Sequence, residues 1–151
     1  MLSRYTRPGL YTGAQMAVGG LGYGLLEILC RGYTHISMIL VGGICFVAMV
    51  RISKSSLTFA AQCLTGALFI TAMEFAAGWL VNLRMGLGVW DYSQEPLHLY
   101  GQICPKFTIL WCALCAVVLP LCRLARRFPA SLAQSRPCPA DAAGRLHNLP
   151  K

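Results

Sequence analysis

Ala72 to Cys104, AMEFAAGWLVNLRMGLGVWDYSQEPLHLYGQIC, is the stretch on which the fold turns. It starts inside an apolar run covering 57–83, and that run carries a carboxylate, Glu74. Glu74 precedes the end of the run by about nine residues, roughly 13 Å of helix rise. That depth is well inside a hydrocarbon core about 30 Å thick. Past Arg84 the pattern changes. Trp90-Asp91-Tyr92-Ser93, Glu95-Pro96, His98 and Tyr100-Gly101-Gln102 interleave aromatic, acidic and turn-forming residues. The local reading is a membrane-length helix that runs into a compact aromatic and polar loop.

Working outward, the 151 residues are 56% hydrophobic and 12% charged, against about a quarter charged in a soluble domain. Apolar runs cover 10–30, 36–50, 57–83 and 103–122, and about 20 residues suffice for a spanning helix. The second run is short, with His35 and Arg51 placed to snorkel at its ends. These runs predict an all-α fold, an integral membrane bundle of four transmembrane helices with an ordered external loop between helices 3 and 4. Residues 1–9 read as a basic cytoplasmic leader, broken from helix 1 at Pro8-Gly9, and 10–122 as the membrane domain. Helix 4 opens at Cys104-Pro105 and is expected to end near Pro120. Residues 123–151 then form a basic cytoplasmic tail, without apolar period from 128 onward and therefore disordered. The first apolar run is long, glycine-rich and interrupted by Glu27, so it reads as a retained helix and not a signal peptide.

The net charge of +8 follows from topology and does not call for a nucleic-acid partner. Arg4 and Arg7, Arg51 and Lys54, and Arg123, Arg126, Arg127, Arg136, Arg145 and Lys151 fall on one side of a four-span bundle. The positive-inside rule puts that side, with both termini, in the cytoplasm and the Trp90 loop outside. The lipid bilayer is the partner this composition requires.

Four residues are candidates for polar groups lining the bundle: Glu27, Arg31, Glu74 and Asn82. In helix 1 the small pairs Gly13/Ala17 and Gly20/Gly24 permit close helix contact, and Gly20, Gly24, Glu27 and Arg31 share a face. Glu27 either pairs with Arg31 there or snorkels to the outer surface. In helix 3, Thr71, Glu74, Gly78 and Asn82 form a polar, small-residue stripe. A carboxylate in the bilayer is costly, so Glu74 is either a structural polar contact or a transport or proton-linked group; Arg31, Arg84 and Lys106 are the cations placed to reach it. Trp90, Asp91, Tyr92 and Ser93 form the external cap, whose rings suit the membrane interface. Asp91, Glu95 and His98 offer a second reading of the loop, as a cation or substrate site.

Of eight cysteines, Cys45, Cys63, Cys112, Cys115 and Cys122 lie in or at the ends of helices as small apolar groups. Cys112 and Cys115 have CxxC spacing but no second pair, so no metal site is assigned. Cys30 and Cys104 both fall near the outer surface, where an oxidising compartment would allow a disulfide. There is no phosphate loop, HExxH or GxSxG motif, and neither an enzyme nor a cofactor is expected.

The blocks GYGLLEILCRGYTHISMILVGGICF (22–46) and 72–104 resemble the bacterial family of small multi-spanning proteins labelled ABC-transporter permease (type IV transmembrane domain). The likeness covers roughly 17–120 and is most specific at Glu74, Trp90 to Ser93 and Gly101 to Cys104. It implies a multi-pass protein of the bacterial cytoplasmic membrane and, by label, a transport component with a separate ATPase subunit. Four helices would also have to form a homodimer or recruit a partner to enclose a path. Three functions are compatible with these residues: a membrane-spanning permease component, a non-transporting scaffold or assembly protein, and a small ion-coupled exporter using a membrane glutamate.

Overall fold

The computed structural model describes residues 8–134, with side chains described over 11–126. Four helices follow in order: α1 (Pro8–Arg31), α2 (Ile36–Ile52), α3 (Phe59–Gly78), continued by a π-helical segment (Trp79–Arg84), and α4 (Pro105–Gln134). α1 opens on a proline, tolerated in a first turn whose N–H groups lack intrahelical partners. It closes at Gly32, which takes φ +79 and donates its amide to the Ile28 carbonyl at 2.9 Å, a left-handed stop that suits glycine. His35 caps α2 and Thr58 caps α3, each side chain accepting a backbone N–H of the first turn.

Tyr11–Arg31, Phe59–Arg84 and Pro105–Arg126 are each long and apolar enough to cross a membrane, while α2 is a shorter apolar helix of 17 residues, about 25 Å long. Their outward faces carry large apolar side chains, among them Val18, Leu21, Leu29, Leu64, Leu68, Ile109 and Val117, all more than half exposed. Such surface has no place in water and faces lipid in a multi-pass membrane protein.

The bundle is built from two helix pairs. α1 lies against α2, α3 against α4, and α2 joins the pairs by packing on both α3 and α4. Glycine sets the first contact. A Cβ on Gly20 would stand 2.5 Å from the Ile39 carbonyl oxygen, and one on Gly43 would stand 2.7 Å from that of Met16. In the second pair, Gly66 lies under the Cys115 sulfur. The core between the pairs holds Cys45, Met49, Cys63, Ala67, Ile70, Trp111, Cys115 and Leu119. A second cluster, Met38, Val81, Val89 and Trp90, joins the α3–α4 loop to the bundle.

α4 corrects the expectation that the helix stops near Pro120. It runs on to Gln134, so the basic segment expected as a disordered tail is helical for its first twelve residues. Pro120 is exposed, and membrane helices tolerate the single hydrogen bond that a proline removes. The leader through residue 7 and the tail from 135 lie outside the described residues.

Candidate functional site

The α3–α4 loop is a folded cap, and one side chain of the π-helical segment that continues α3 makes three of the hydrogen bonds that hold it. From Trp79 the helix widens, with the Met85 amide bonding the Leu80 carbonyl at 3.0 Å, five residues back. π-Turns of this kind are frequent at functional sites. Asn82 lies within this segment. Its amide nitrogen donates to the Trp90 carbonyl at 2.9 Å and to Gln102 Oε1 at 2.7 Å, and its oxygen accepts from the Val89 amide at 2.7 Å. Trp90 is 3% exposed and donates its indole N–H to the Gln102 carbonyl. Gly78 makes room for this: a Cβ there would stand 2.9 Å from Trp90 Cζ2.

Beneath the cap lies Glu74, 3% exposed. Its Oε1 accepts from the Tyr92 hydroxyl at 2.8 Å and its Oε2 from the Trp111 indole N–H at 2.9 Å. Tyr92 is positioned by stacking on Phe107, with centroids 4.3 Å apart and planes at 17°. Burial first, and then the neighbouring Glu74 carboxylate, pushes the Tyr92 phenol above the ordinary tyrosine range. The phenol therefore keeps its proton. A carboxylate in apolar surroundings needs such donors, and here each oxygen has one.

The cations expected to reach Glu74 are engaged elsewhere. Arg31 pairs with Glu27 at 3.1 Å and donates to the Val89 carbonyl and Tyr33 hydroxyl, both at 2.9 Å. Arg84 lies over the Trp79 ring and Lys106 pairs with Glu95. Among the described residues no basic side chain forms an ion pair with Glu74. The reason is depth: Arg31, Arg84 and Lys106 sit at helix ends level with the cap, and Glu74 lies more than a full turn before the start of the π segment.

Glu74 is also the only charged residue on the wall of a cavity of about 300 Å³ between the two helix pairs. The wall is otherwise apolar and aromatic, with Tyr23 from α1, Phe46 from α2 and Trp111 from α4, and the exposed Val18 and Gly22 stand at its α1 rim. Of the four residues expected to line the bundle, Glu74 reaches this wall. Glu27, Arg31 and Asn82 instead gather at the cap end, where Glu27 also accepts from the Thr34 hydroxyl at 2.6 Å.

The cap residues divide as well. Trp90 and Tyr92 point inward, whereas Asp91 and Ser93 stay at the rim, where Asp91 accepts from both the Ser93 hydroxyl and the Ser93 amide. The hydroxyl contact first, then the amide, holds the Asp91 carboxyl below its ordinary range. Asp91, Glu95 and His98 do not converge: Glu95 faces Lys106, and His98 accepts from the Gly101 amide. Among the described residues no group of three metal-ligating side chains forms a site. Cys30 is an exposed free thiol and Cys104 a buried one, so the disulfide considered between them is not formed.

Trp111, the partner of Glu74 from α4, is the main residue that sequence reasoning missed. An indole in mid-membrane needs an acceptor, and Glu74 is the one carboxylate at comparable depth in the later helices. Gln62 was missed too: 1% exposed in α3, it ties Ser55 to Arg123 of α4 at the opposite end of the bundle.

A family model described as "Putative ABC-transporter type IV" matches residues 4–134. The chain belongs to this family. The match takes in all four helices, the cap and Glu74. No curated protein and no solved structure matches the chain. The type IV family is thus the frame in which the Glu74 cavity has to be read.

Proposed function

We propose that this chain is the membrane-spanning permease component of a transporter and that the cavity beside Glu74 is its substrate site. The observation that carries this reading is an apolar cavity of about 300 Å³ with one carboxylate on its wall, within the size range of small-molecule sites. The cap touches the cavity wall through the Tyr92 hydroxyl, which donates to Glu74. Orientation follows from charge. Arg51, Lys54, Arg123 and Arg126 gather at the link end, while all the acidic residues before Asp141 lie within the bundle or at the cap, so the link end is cytoplasmic and the cap external.

A separate ATPase subunit is the partner of this reading. The link between α2 and α3, residues 53–58, is too short to receive one. The α4 extension from Arg123 to Gln134 supplies about 18 Å of helix at the cytoplasmic end. The test is purification of the tagged full-length chain in mild detergent from its native host. A nucleotide-binding subunit should copurify and should be lost on truncation after Arg126. Failure of any ATPase to copurify, with no ATP-stimulated flux in vesicles, would count against the permease assignment.

One observation favours the ion-coupled alternative. The Tyr92 hydroxyl can donate to a carboxylate or accept from a carboxylic acid, so Glu74 can gain or lose a proton without moving its partners. Flux driven by a pH gradient in vesicles lacking ATP would select this mechanism.

A further inference from the structure

We infer that the cavity takes a small aromatic or aliphatic organic cation, with the cationic head against Glu74 and the apolar body along α1 and α2. The inference rests on the proposed reading of the cavity as the substrate site and adds the chemistry of the occupant.

The wall selects by charge. Its single carboxylate is Glu74, and no basic side chain among the described residues pairs with it. An anion would meet the carboxylate and no compensating cation. A wholly apolar occupant would leave the buried carboxylate with no cation in contact, only Arg31 acting from a distance and already paired with Glu27, a cost that membrane proteins bear mainly at functional positions. A cation removes that cost. Three aromatic rings, Tyr23, Phe46 and Trp111, line the same space, with Tyr23 and Trp111 centroids 6.2 Å apart. Ring faces attract a desolvated ammonium, most strongly indole.

The hydrogen bonds at Glu74 suit exchange of a cation for a proton. Trp111 Nε1 can only donate, so Oε2 is always an acceptor. The Oε1–Tyr92 bond can run either way. The Tyr23 hydroxyl has no hydrogen-bond partner among the described residues, and its ring packs beside Gly42 on the cavity wall; it is a second polar atom for an ammonium or its hydration water. The ionisable groups facing Glu74 are Tyr23, Glu27 and Arg31 from α1, Cys45 from α2 and Tyr92 from the cap. Glu27 and Arg31 already satisfy each other, and the α4 group is the non-titrating Trp111.

The experiment is equilibrium scintillation-proximity binding of labelled benzyltrimethylammonium to the full chain in detergent, with no ATPase, nucleotide or gradient. Expected is saturable binding displaced by unlabelled cation but not by phenylmethanesulfonate, and weakening from about pH 9 to about pH 5 as protons compete. Glu74→Gln should bind about ten-fold more weakly or worse, as loss of one charge-assisted contact implies. Gly22→Leu should also lose binding. Gly22 lines the cavity and a Cβ there would meet nothing within 4 Å, so the substitution adds bulk at the rim with no clash at its first atom. If Glu74→Gln does not fold, Gly22→Leu and the pH response of the wild type decide. Absence of saturable binding, displacement by the sulfonate, or binding by a folded Glu74→Gln equal to wild type would overturn the inference. Binding without copurifying ATPase or flux would instead remove the transport reading and leave the cation site.

Discussion

Asn82→Ala should open the cap while leaving the bundle intact. The side chain makes three hydrogen bonds, to the Trp90 carbonyl, Gln102 Oε1 and the Val89 amide, at 2.7–2.9 Å. All three partners are buried or half-buried, and two of them, Val89 and Trp90, belong to the cluster that seats the cap. At about 1 kcal/mol net for each neutral bond, the substitution costs about 3 kcal/mol of cap stability. Each 1.4 kcal/mol is about ten-fold in an equilibrium constant, so cap opening should become about 150-fold more frequent. The reporter is the Tyr92 amide, which bonds the Gly101 carbonyl at 2.7 Å inside the cap and does not touch Asn82. Its hydrogen exchange, read by mass spectrometry in detergent, should accelerate by about two orders of magnitude. Amides of Ala67 and Ile70 in the core of α3 should change by less than about two-fold. A change at Tyr92 below about five-fold would refute the reasoning, since Trp90 and Gln102 would then hold the cap without Asn82.

Other outcomes rest on the same geometry. Tyr92→Phe removes one bond to Glu74 and should cost about 1 kcal/mol in detergent unfolding, whereas Glu74→Leu strands both the Tyr92 hydroxyl and the Trp111 indole and should cost at least about twice that. Gly20→Val should destabilise by about 2 kcal/mol or more because its Cβ would press on the Ile39 carbonyl; Gly13→Ala, with nothing within 4 Å, should be neutral or slightly stabilising in the same assay. Asp91 should titrate below the ordinary carboxylate range in carbon-detected NMR of labelled protein and move upward in Ser93→Ala. Its folded-state pKa is depressed, so its contribution is present above the unfolded value near 4 and is lost as pH falls through the folded value. Cys30, exposed among mostly buried thiols, should react first with a membrane-impermeant maleimide on intact cells carrying Cys138→Ser; labelling only after permeabilisation would reverse the proposed orientation.

The sequence made the helices legible because apolar run length is read directly, and it placed Glu74 in the membrane by counting back from Leu83. The Glu27–Arg31 contact was legible for a similar reason, since residues four apart share a helix face. Partners distant in sequence were not. Glu74 and Trp111 are separated by 37 residues, and a period read along one helix says nothing about which residue of another lies at the same depth. Arg31, Arg84 and Lys106 were sensible partners for Glu74 by charge alone, but each finds a nearer neighbour at the cap. The end of α4 was misread because a proline and a basic run are stop signals in a soluble helix, while a helix leaving a bilayer can carry both and continue.

The π-helical segment makes the distance from Glu74 to the cap a matter of counting. Between Trp79 and Arg84 the chain holds about one residue more than an α-helix of the same rise would, and that residue rotates the chain beyond it by about 100°. Deleting a single residue there, even the exposed Leu80, would restore α-helical phase and swing Asn82 away from Trp90 and Gln102. An insertion would do the same in the opposite sense. Side chains on the outer face of 79–84 are therefore free to vary, but the number of residues joining Glu74 to Tyr92 is not. In any relative whose chain is longer or shorter across this interval, the carboxylate and the phenol should no longer meet.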